Sequence, residues 1–134
     1  MTKHFFQIIL DNRNDLIEDT FIYKLHEEKI FDFKKLNTLI ENIELCCKYF
    51  KDNEHDADDE NVIKNIIENL FWIFSSAYKS IIYHYNKKDL YEIIKFENGS
   101  ENDTIRMIEL LGKRINELCN ILILKNYGKR GNCI

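Results

Sequence analysis

Proline is absent from this sequence, and only 4 of its 134 residues are glycine. β-Sandwiches and β-barrels need many tight turns, which are usually rich in these two residues. A chain that is poor in both has few turns and long elements, so we expect an all-α fold. Hydrophobic residues make up 45% of the chain and charged residues 31%, which suffices for one core under a polar surface. We therefore predict a single helical domain over residues 1–134.

The sequence also lacks the features of nucleic-acid-binding and membrane proteins. Its formal net charge is -4, and its basic residues are scattered except for Lys125, Lys129 and Arg130. Proteins that bind nucleic acids usually carry a concentrated basic face, so we expect no nucleic-acid partner. No segment approaches the roughly 20 apolar residues that span a bilayer, and no signal-peptide pattern is present. We expect a cytosolic protein without a membrane anchor.

Motifs for catalysis and for metal binding are missing as well. The candidate residues are four histidines and four cysteines: His4, His26, His55, His84, Cys46, Cys47, Cys119 and Cys133. No two histidines lie four residues apart on one predicted helix, and no cysteine pair has metal-ligand spacing. A Gly-rich phosphate loop and a Gly-x-Ser-x-Gly elbow are also absent. We predict no catalytic residue, no metal and no cofactor, and we classify the protein as a non-enzyme.

Apolar residues recur at helical spacing along most of the chain. We predict helices over residues 3–11, 15–29, 33–51, 60–85 and 101–127, with a short segment over residues 88–96. Asp32 precedes the third of these helices and is expected to cap it, because a carboxylate accepts hydrogen bonds from the first free N–H groups.

The fourth predicted helix differs from the others in its composition. From Leu70 to Phe74 it is apolar on every side, and a helix that is apolar all round is expected to be buried all round. The small residues Ser75, Ser76 and Ala77 follow, and they would let neighbouring helices approach closely. We therefore predict a central helix over about residues 60–85 that is wrapped by amphipathic helices.

Two apolar stripes could together line a groove for a partner helix. Phe21 and Leu25 lie on the second predicted helix, and Leu39 and Ile43 lie on the third. Helix-in-groove recognition needs an apolar channel of this kind between two helices. The same four side chains could instead belong to the core, which is the usual place for a helical stripe.

The first predicted helix carries a second apolar stripe of its own. Phe5, Ile8 and Ile9 form one stripe, while Phe6 and Leu10 form another on a different face. One stripe is enough for the core, so the other would be an exposed apolar patch in a monomer. Such patches usually mark interfaces, and we therefore predict a homodimer that uses Phe6 and Leu10.

Two stretches of the chain have a familiar sequence, FQIILDNRND over residues 6–15 and FIYKLHEEKIFDFKKLNTLIENIEL over residues 21–45. They resemble the start of the short, tail-less poxviral Bcl-2-like proteins of the vaccinia virulence-factor group. The similar parts are Arg13-Asn14-Asp15, Leu39-Ile40-Glu41-Asn42, IRMIE over residues 105–109, and the ending Tyr127-Gly128-Lys129. A central apolar helix wrapped by amphipathic helices is also the plan of the Bcl-2 fold.

The resemblance implies a function as well as a fold. Such proteins act in the host cell cytoplasm, have no enzymatic activity, and inhibit apoptosis or innate signalling towards NF-κB. Some bind the amphipathic death-motif (BH3) helix in a groove between their second and central helices, and several form homodimers through a face that includes the first helix. For this chain the resemblance implies a virulence factor that evades innate immunity by binding pro-apoptotic BH3-motif proteins or NF-κB pathway components.

One departure from the family and two other hypotheses keep the function open at this point. Cellular members carry Asn-Trp-Gly-Arg before the central helix, and the Arg pairs with an Asp of the bound peptide. This chain has Asp58-Asp59-Glu60-Asn61 there, with no Gly or Arg. Death-motif binding is therefore left open, and apoptosis and NF-κB both remain as target pathways. A small helical enzyme or ligand-binding bundle would require polar groups that converge in one enclosed cavity. A structural or antitoxin-like helical module would have an unrelated topology without a central helix.

Overall fold

The structure, a computed structural model, describes residues 4–13, 17–52, 59–86, 88 and 90–131. Its elements, in chain order, are α1 (His4–Arg13), α2 (Phe21–Glu27), β1 (Ile30–Asp32), α3 (Phe33–Asp52), α4 (Asp59–Tyr85), β2 (Lys95–Glu97), a short 3-10 helix (Glu101–Asp103) and α5 (Thr104–Gly131). Helices account for most of the described residues, so the predicted all-α helical bundle is confirmed.

Local hydrogen bonds explain where α2 begins. Thr20 has extended backbone angles, and its hydroxyl accepts a hydrogen bond from the backbone N–H of Tyr23 at 3.1 Å. The buried side chain of Asn12, at the end of α1, accepts a second bond from the N–H of Ile22 at 3.1 Å. These two caps satisfy N–H groups that have no partner inside the helix. The predicted start near residue 15 was therefore too early, because Thr20 starts the helix instead.

Asp32 caps α3, as predicted. Its Oδ1 atom accepts hydrogen bonds from the backbone N–H groups of Lys34 at 3.0 Å and Lys35 at 3.3 Å. The same residue ends β1, which pairs in parallel with β2. Strands of three residues were not predicted, because they are too short to show the alternation of apolar and polar residues that identifies a strand.

All five helices contribute to one hydrophobic core. Side chains without exposed surface come from each of them: Ile9, Leu25, Leu39, Leu70 and Leu111. α3 packs against α1 and α5, while α4 packs against α1, α2 and α5. The longest helices therefore lie around a shared interior, to which each gives one apolar stripe.

The prediction that α4 is buried on every side is wrong. Leu70 and Ile73 are fully buried, but Phe71 between them is 61% exposed, and Trp72 and Phe74 are partly exposed. The helices α1, α2 and α5 pack against α4, and the exposed side chains of Phe71, Tyr78 and Ile82 show that these neighbours leave one face of α4 open. α4 is thus a helix with an open apolar face, and this removes the central, wrapped helix from the argument for a Bcl-2-like plan.

Gly99 follows β2 at a place where a side chain would not fit. A Cβ atom built there would overlap the ring of Phe33, which is buried at the start of α3. We expect Gly99→Ala to lower the free energy of unfolding by about 1–3 kcal/mol, because Phe33 or the backbone must move. Urea denaturation measures this change.

Gly112→Ala is the matched control for Gly99→Ala. There, the added Cβ would lie 2.8 Å from Cε2 of Phe74, whose ring is only half-buried and has room to turn. Replacing glycine by alanine inside α5 also gains up to about 1 kcal/mol of helix propensity, so the net change should stay below about 1 kcal/mol. If Gly99→Ala proves as mild as this control, the close contact with Phe33 is not restrictive.

Candidate protein-binding surface

The structure places the four predicted groove residues in the core. Phe21 is 1% exposed, and Leu25, Leu39 and Ile43 have no exposed surface. Phe21 packs edge-on against the ring of Phe31, with 5.2 Å between the ring centroids. The prediction of an open groove lined by these residues is therefore wrong, because the stripes of α2 and α3 face the same interior and fill it.

The predicted dimer face is also largely used inside the fold. Phe6 is 9% exposed, and its ring stacks on Phe50 of α3 with 5.5 Å between centroids and contacts Tyr49 at 5.8 Å. Leu10 is partly exposed. α1 packs against both α3 and α4, so each of its two stripes has a partner within the chain. The prediction that Phe6 lies on an exposed dimer face is wrong for this reason.

The structure instead exposes a stripe on α4 that is apolar except at Ser75. Phe71, Tyr78, Ile82 and Tyr85 are 61%, 51%, 46% and 51% exposed, and Ser75 lies among them and is exposed as well. We call these five residues the α4 face. Their spacings of 4, 3, 4 and 3 residues are those of a coiled-coil seam. At 1.5 Å per residue the α4 face is about 21 Å long, or roughly four helical turns.

A shallow groove extends the α4 face towards α5. It is lined by Tyr78, Ile81, Ile82, Tyr85, Asn86 and Ile105. Ile105 comes from the first turn of α5 and is 52% exposed, whereas Ile81 forms the floor at 5% exposure. The groove is therefore an apolar depression between two helices, with exposed rims on both sides.

Close packing between α4 and α5 fixes the orientation of the α4 face. Phe74 lies over Gly112 of α5, where a Cβ atom would come within 2.8 Å of its ring, so the ring packs close to the α5 backbone. The Phe74 ring stacks on Tyr78, with 5.9 Å between centroids and 24° between planes. This stacking restricts the rotation of the Tyr78 side chain before binding, so less side-chain entropy is lost when a partner binds.

On the side of the α4 face away from α5, residues of α1 and α2 contact α4. The Arg13 guanidinium lies 4.2 Å from the centroid of the Trp72 ring, and the imidazole of His26 meets the same ring edge-on at 6.1 Å. A cation over an aromatic face is attracted by the ring, by about 0.5–1 kcal/mol at exposed sites. Trp72 is thus occupied within the chain, and it bounds the α4 face rather than belonging to it.

The sequence carries a signal that distinguishes the open stripe from the buried one. Extended towards the start of α4 with the same spacing, the open stripe meets Glu68 and Lys64, both of which are exposed. The buried stripe extends through Asn69 to the apolar Ile66 instead. Two adjacent charges on one stripe are typical of a solvated face, so this extension indicates which stripe faces outward.

The thiols of the described residues are poor candidates for catalysis. Burial raises the pKa of the Cys46, Cys47 and Cys119 thiols, that of Cys47 to about 11. A nucleophilic cysteine needs a lowered pKa and an accessible sulfur atom. Among the residues that the structure describes, no group of three or more His, Cys, Asp or Glu side chains could hold a metal ion. The α4 face remains the candidate site.

No family model matches the chain, and neither a curated protein nor a solved structure matches it. In the described ranges, none of the helices has the length and hydrophobicity that crossing a bilayer requires. The candidate site is therefore identified by its geometry alone.

Proposed function

We propose that this protein is a poxviral-type virulence factor that acts in the host cytoplasm by binding host proteins through its α4 face. The exposed apolar seam on α4 is the observation that carries this proposal. Contiguous apolar patches on soluble domains usually mark interaction sites. The sequence resemblance to the poxviral Bcl-2-like group supports the cellular role, which is inhibition of apoptosis or of innate signalling towards NF-κB.

An amphipathic helix is the partner chemistry that fits the α4 face. Phe71, Tyr78 and Ile82 follow one helical stripe, so a second helix with the same apolar spacing could interdigitate with them. Covering a large apolar side chain completely is worth about 1.5–3 kcal/mol. Burial of the exposed halves of four such side chains therefore supplies several kcal/mol towards binding, before the cost of ordering the partner.

Signalling towards NF-κB is the branch that this geometry favours. A death-motif helix would need an open groove beside α2, but Phe21, Leu25 and Leu39 are buried there. The Gly-Arg pair that receives the Asp of such a helix in cellular relatives is also missing from residues 58–61. We therefore propose a component of the NF-κB pathway as the host partner, and capture of pro-apoptotic proteins as the second branch.

We place the proposed dimer interface on the α4 face instead of on Phe6 and Leu10. With Phe6 buried, the exposed apolar surface of α4 is what a second copy can use. Stable interfaces bury about 800 Å² on each partner, which is more than a strip one helix wide and about 21 Å long provides. We propose a weak homodimer through α4 that the host partner displaces, and sedimentation velocity over a concentration series measures it.

Ile82→Glu tests the proposed binding surface directly. Ile82 is 46% exposed, so the free energy of unfolding should change by less than about 0.5 kcal/mol. Burial of the new carboxylate against a partner helix is costly, so binding should weaken by tenfold or more, a loss of about 1.4 kcal/mol. In a cytokine-stimulated NF-κB reporter assay, we expect the wild-type protein to suppress the signal and Ile82→Glu to fail.

Leu45→Glu is the matched control for Ile82→Glu. Leu45 is 50% exposed on α3, outside the α4 face, so this variant should suppress the reporter as the wild type does. Calorimetry with a panel of synthetic death-motif peptides separates the two branches, since binding by any of them would move the target to apoptosis. A wild-type protein that neither suppresses the reporter nor binds a peptide contradicts the proposed function.

A further inference from the structure

His84 lies in the last turn of α4, next to the end of the α4 face. Its side chain is 9% exposed, and its Nδ1 atom accepts a hydrogen bond from the backbone N–H of Ile93 at 2.9 Å. A ring nitrogen that accepts a hydrogen bond carries no proton. This bond therefore assigns the neutral imidazole, with its one hydrogen on Nε2.

The groups that face the His84 ring come from several elements. Nε2 lies 4.0 Å from Oε2 of Glu101 in the 3-10 helix, and Oε2 also accepts a hydrogen bond from the Tyr85 hydroxyl at 3.3 Å. The rings of Tyr85 and of Phe96 in β2 meet the imidazole at centroid distances of 4.7 and 5.8 Å. Among the described residues, the titratable groups in contact with His84 are thus Glu101 and Tyr85.

The N–H of Ile93 belongs to the segment that returns from α4 to β2. We call residues 90–94 the connector. Ile93 anchors it in the core at 4% exposure, the N–H of Ile94 donates to the carbonyl of Lys29 at 2.8 Å, and the Tyr91 hydroxyl donates to the carbonyl of Leu25 at 2.6 Å. Two of these bonds fasten the connector to the region of α2, and the Ile93–His84 bond fastens it to α4.

We propose that His84 is a proton-sensitive latch that holds the connector against α4 when neutral and releases it when protonated. An imidazolium has N–H groups on both nitrogens, so it has no acceptor left for the N–H of Ile93. A flip of the ring does not restore one. The carboxylate of Glu101 lies 4.0 Å from Nε2, so the protonated ring has an ion-pair partner on the side away from Ile93.

The latch acts at one end of the α4 face. The Oε2 atom of Glu101 lies 4.0 Å from His84 Nε2 and accepts the hydrogen bond of the Tyr85 hydroxyl, so a charged His84 competes with Tyr85 for this atom. Tyr85 is the last residue of the α4 face, and with Ile105 it lines the groove. The effect of acidification on partner binding rests on the proposed function. The latch itself involves only contacts within the chain.

Nuclear magnetic resonance between about pH 8 and pH 5, the range in which histidine changes charge, tests the latch. At pH 8 the ring nitrogen shifts of His84 should report the Nε2–H tautomer. On acidification the exchange protection of the Ile93 amide, corrected for intrinsic chemical rates, should fall by about tenfold, as loss of one hydrogen bond implies. A Nδ1–H tautomer at pH 8, or unchanged protection of Ile93 once His84 is charged, overturns the proposal.

His84→Asn and His26→Asn are the paired variants. Asparagine places its Oδ1 atom near the position of Nδ1 and does not titrate, so His84→Asn should keep Ile93 protected at both pH values. His26 lies on α2 beside Trp72, so His26→Asn should leave the pH dependence as it is in the wild type. If His84→Asn retains the full pH dependence, another group controls the connector and the latch is refuted. These measurements need no partner, so the NF-κB reporter can fail while the latch holds, and the reverse.

Discussion

Leu39→Ala should lower the free energy of unfolding by about 3 kcal/mol, within the range of about 2–5 kcal/mol for a buried leucine. Leu39 has no exposed surface and lies on the inner stripe of α3 between Leu36 and Ile43, which are also fully buried. Truncation removes apolar contacts and leaves a cavity that a close-packed core fills only in part. The free energy of unfolding is measured by urea denaturation.

This prediction separates the two roles that the sequence left open for Leu39. A residue that lines an open groove loses little stability when truncated, because water already reaches it, whereas a core residue loses several kcal/mol. Leu45→Ala is the matched control, with the same substitution on the same helix at a position that is 50% exposed. We expect a loss below about 0.5 kcal/mol for the control. Equal losses of stability for the two substitutions would contradict the core position of Leu39 and support a position in an open groove.

The bounds of α3 and α4 followed from the sequence because local signals define them. α3 was predicted over residues 33–51 and spans Phe33–Asp52, and α4 was predicted over residues 60–85 and spans Asp59–Tyr85. A capping carboxylate at Asp32 and a sustained apolar stripe are properties of neighbouring residues. They do not depend on where the rest of the chain lies.

Apolar spacing alone did not predict the candidate site, because burial depends on which helices are neighbours, and the charges of Lys64 and Glu68 that distinguish the open stripe lie beyond its apolar part. The stripe of Phe21 and Leu25 and the stripe of Phe71 and Tyr78 both have helical spacing, yet the first is buried and the second is open. The whole of the short helix α2 packs against the core. α4 is much longer, and its neighbours leave one of its faces open. Apolar spacing predicts a helix face that needs a partner, but it does not say whether that partner lies within the chain.

The buried ion pair between Lys24 and Asp32 is the other place where a single substitution should have a large effect. Lys24 Nζ lies 2.6 Å from Asp32 Oδ2 and 3.0 Å from Glu97 Oε1, so it joins α2 to both strands. The other carboxylate oxygen of Asp32 accepts the two bonds that cap α3 and a third from the Asn98 side chain at 3.0 Å. Asp32 is 3% exposed, so water cannot replace these partners.

Asp32→Ala should therefore lower the free energy of unfolding by about 3–5 kcal/mol. The substitution leaves the Lys24 ammonium, whose side chain is 12% exposed, with Glu97 alone, and it removes the cap of α3. Asp32→Asn keeps an oxygen that can accept the capping hydrogen bonds, so its free energy of unfolding should fall by less. Asp19 also pairs with a lysine, Lys35, at 2.8 Å, but its side chain is 73% exposed. Asp19→Asn, which suits the positive φ of 66° there, should cost below about 1 kcal/mol.

The pH dependence of stability gives an independent measure of the same carboxylate. Burial on its own raises the pKa of Asp32, but hydrogen bonds from Lys24, Asn98 and the Lys35 backbone outweigh it and lower the pKa to about 2. A lowered pKa means that the stabilisation is complete above the unfolded value near 3.9 and is lost as the pH falls towards 2. As the pH falls from about 5 to 2, protonation of Asp32 should lower the free energy of unfolding of the wild-type protein by about 2 kcal/mol. The Asp32→Asn variant should not show this decrease. If the curves of both proteins fall in parallel over this range, Asp32 is not the carboxylate that Lys24 stabilises.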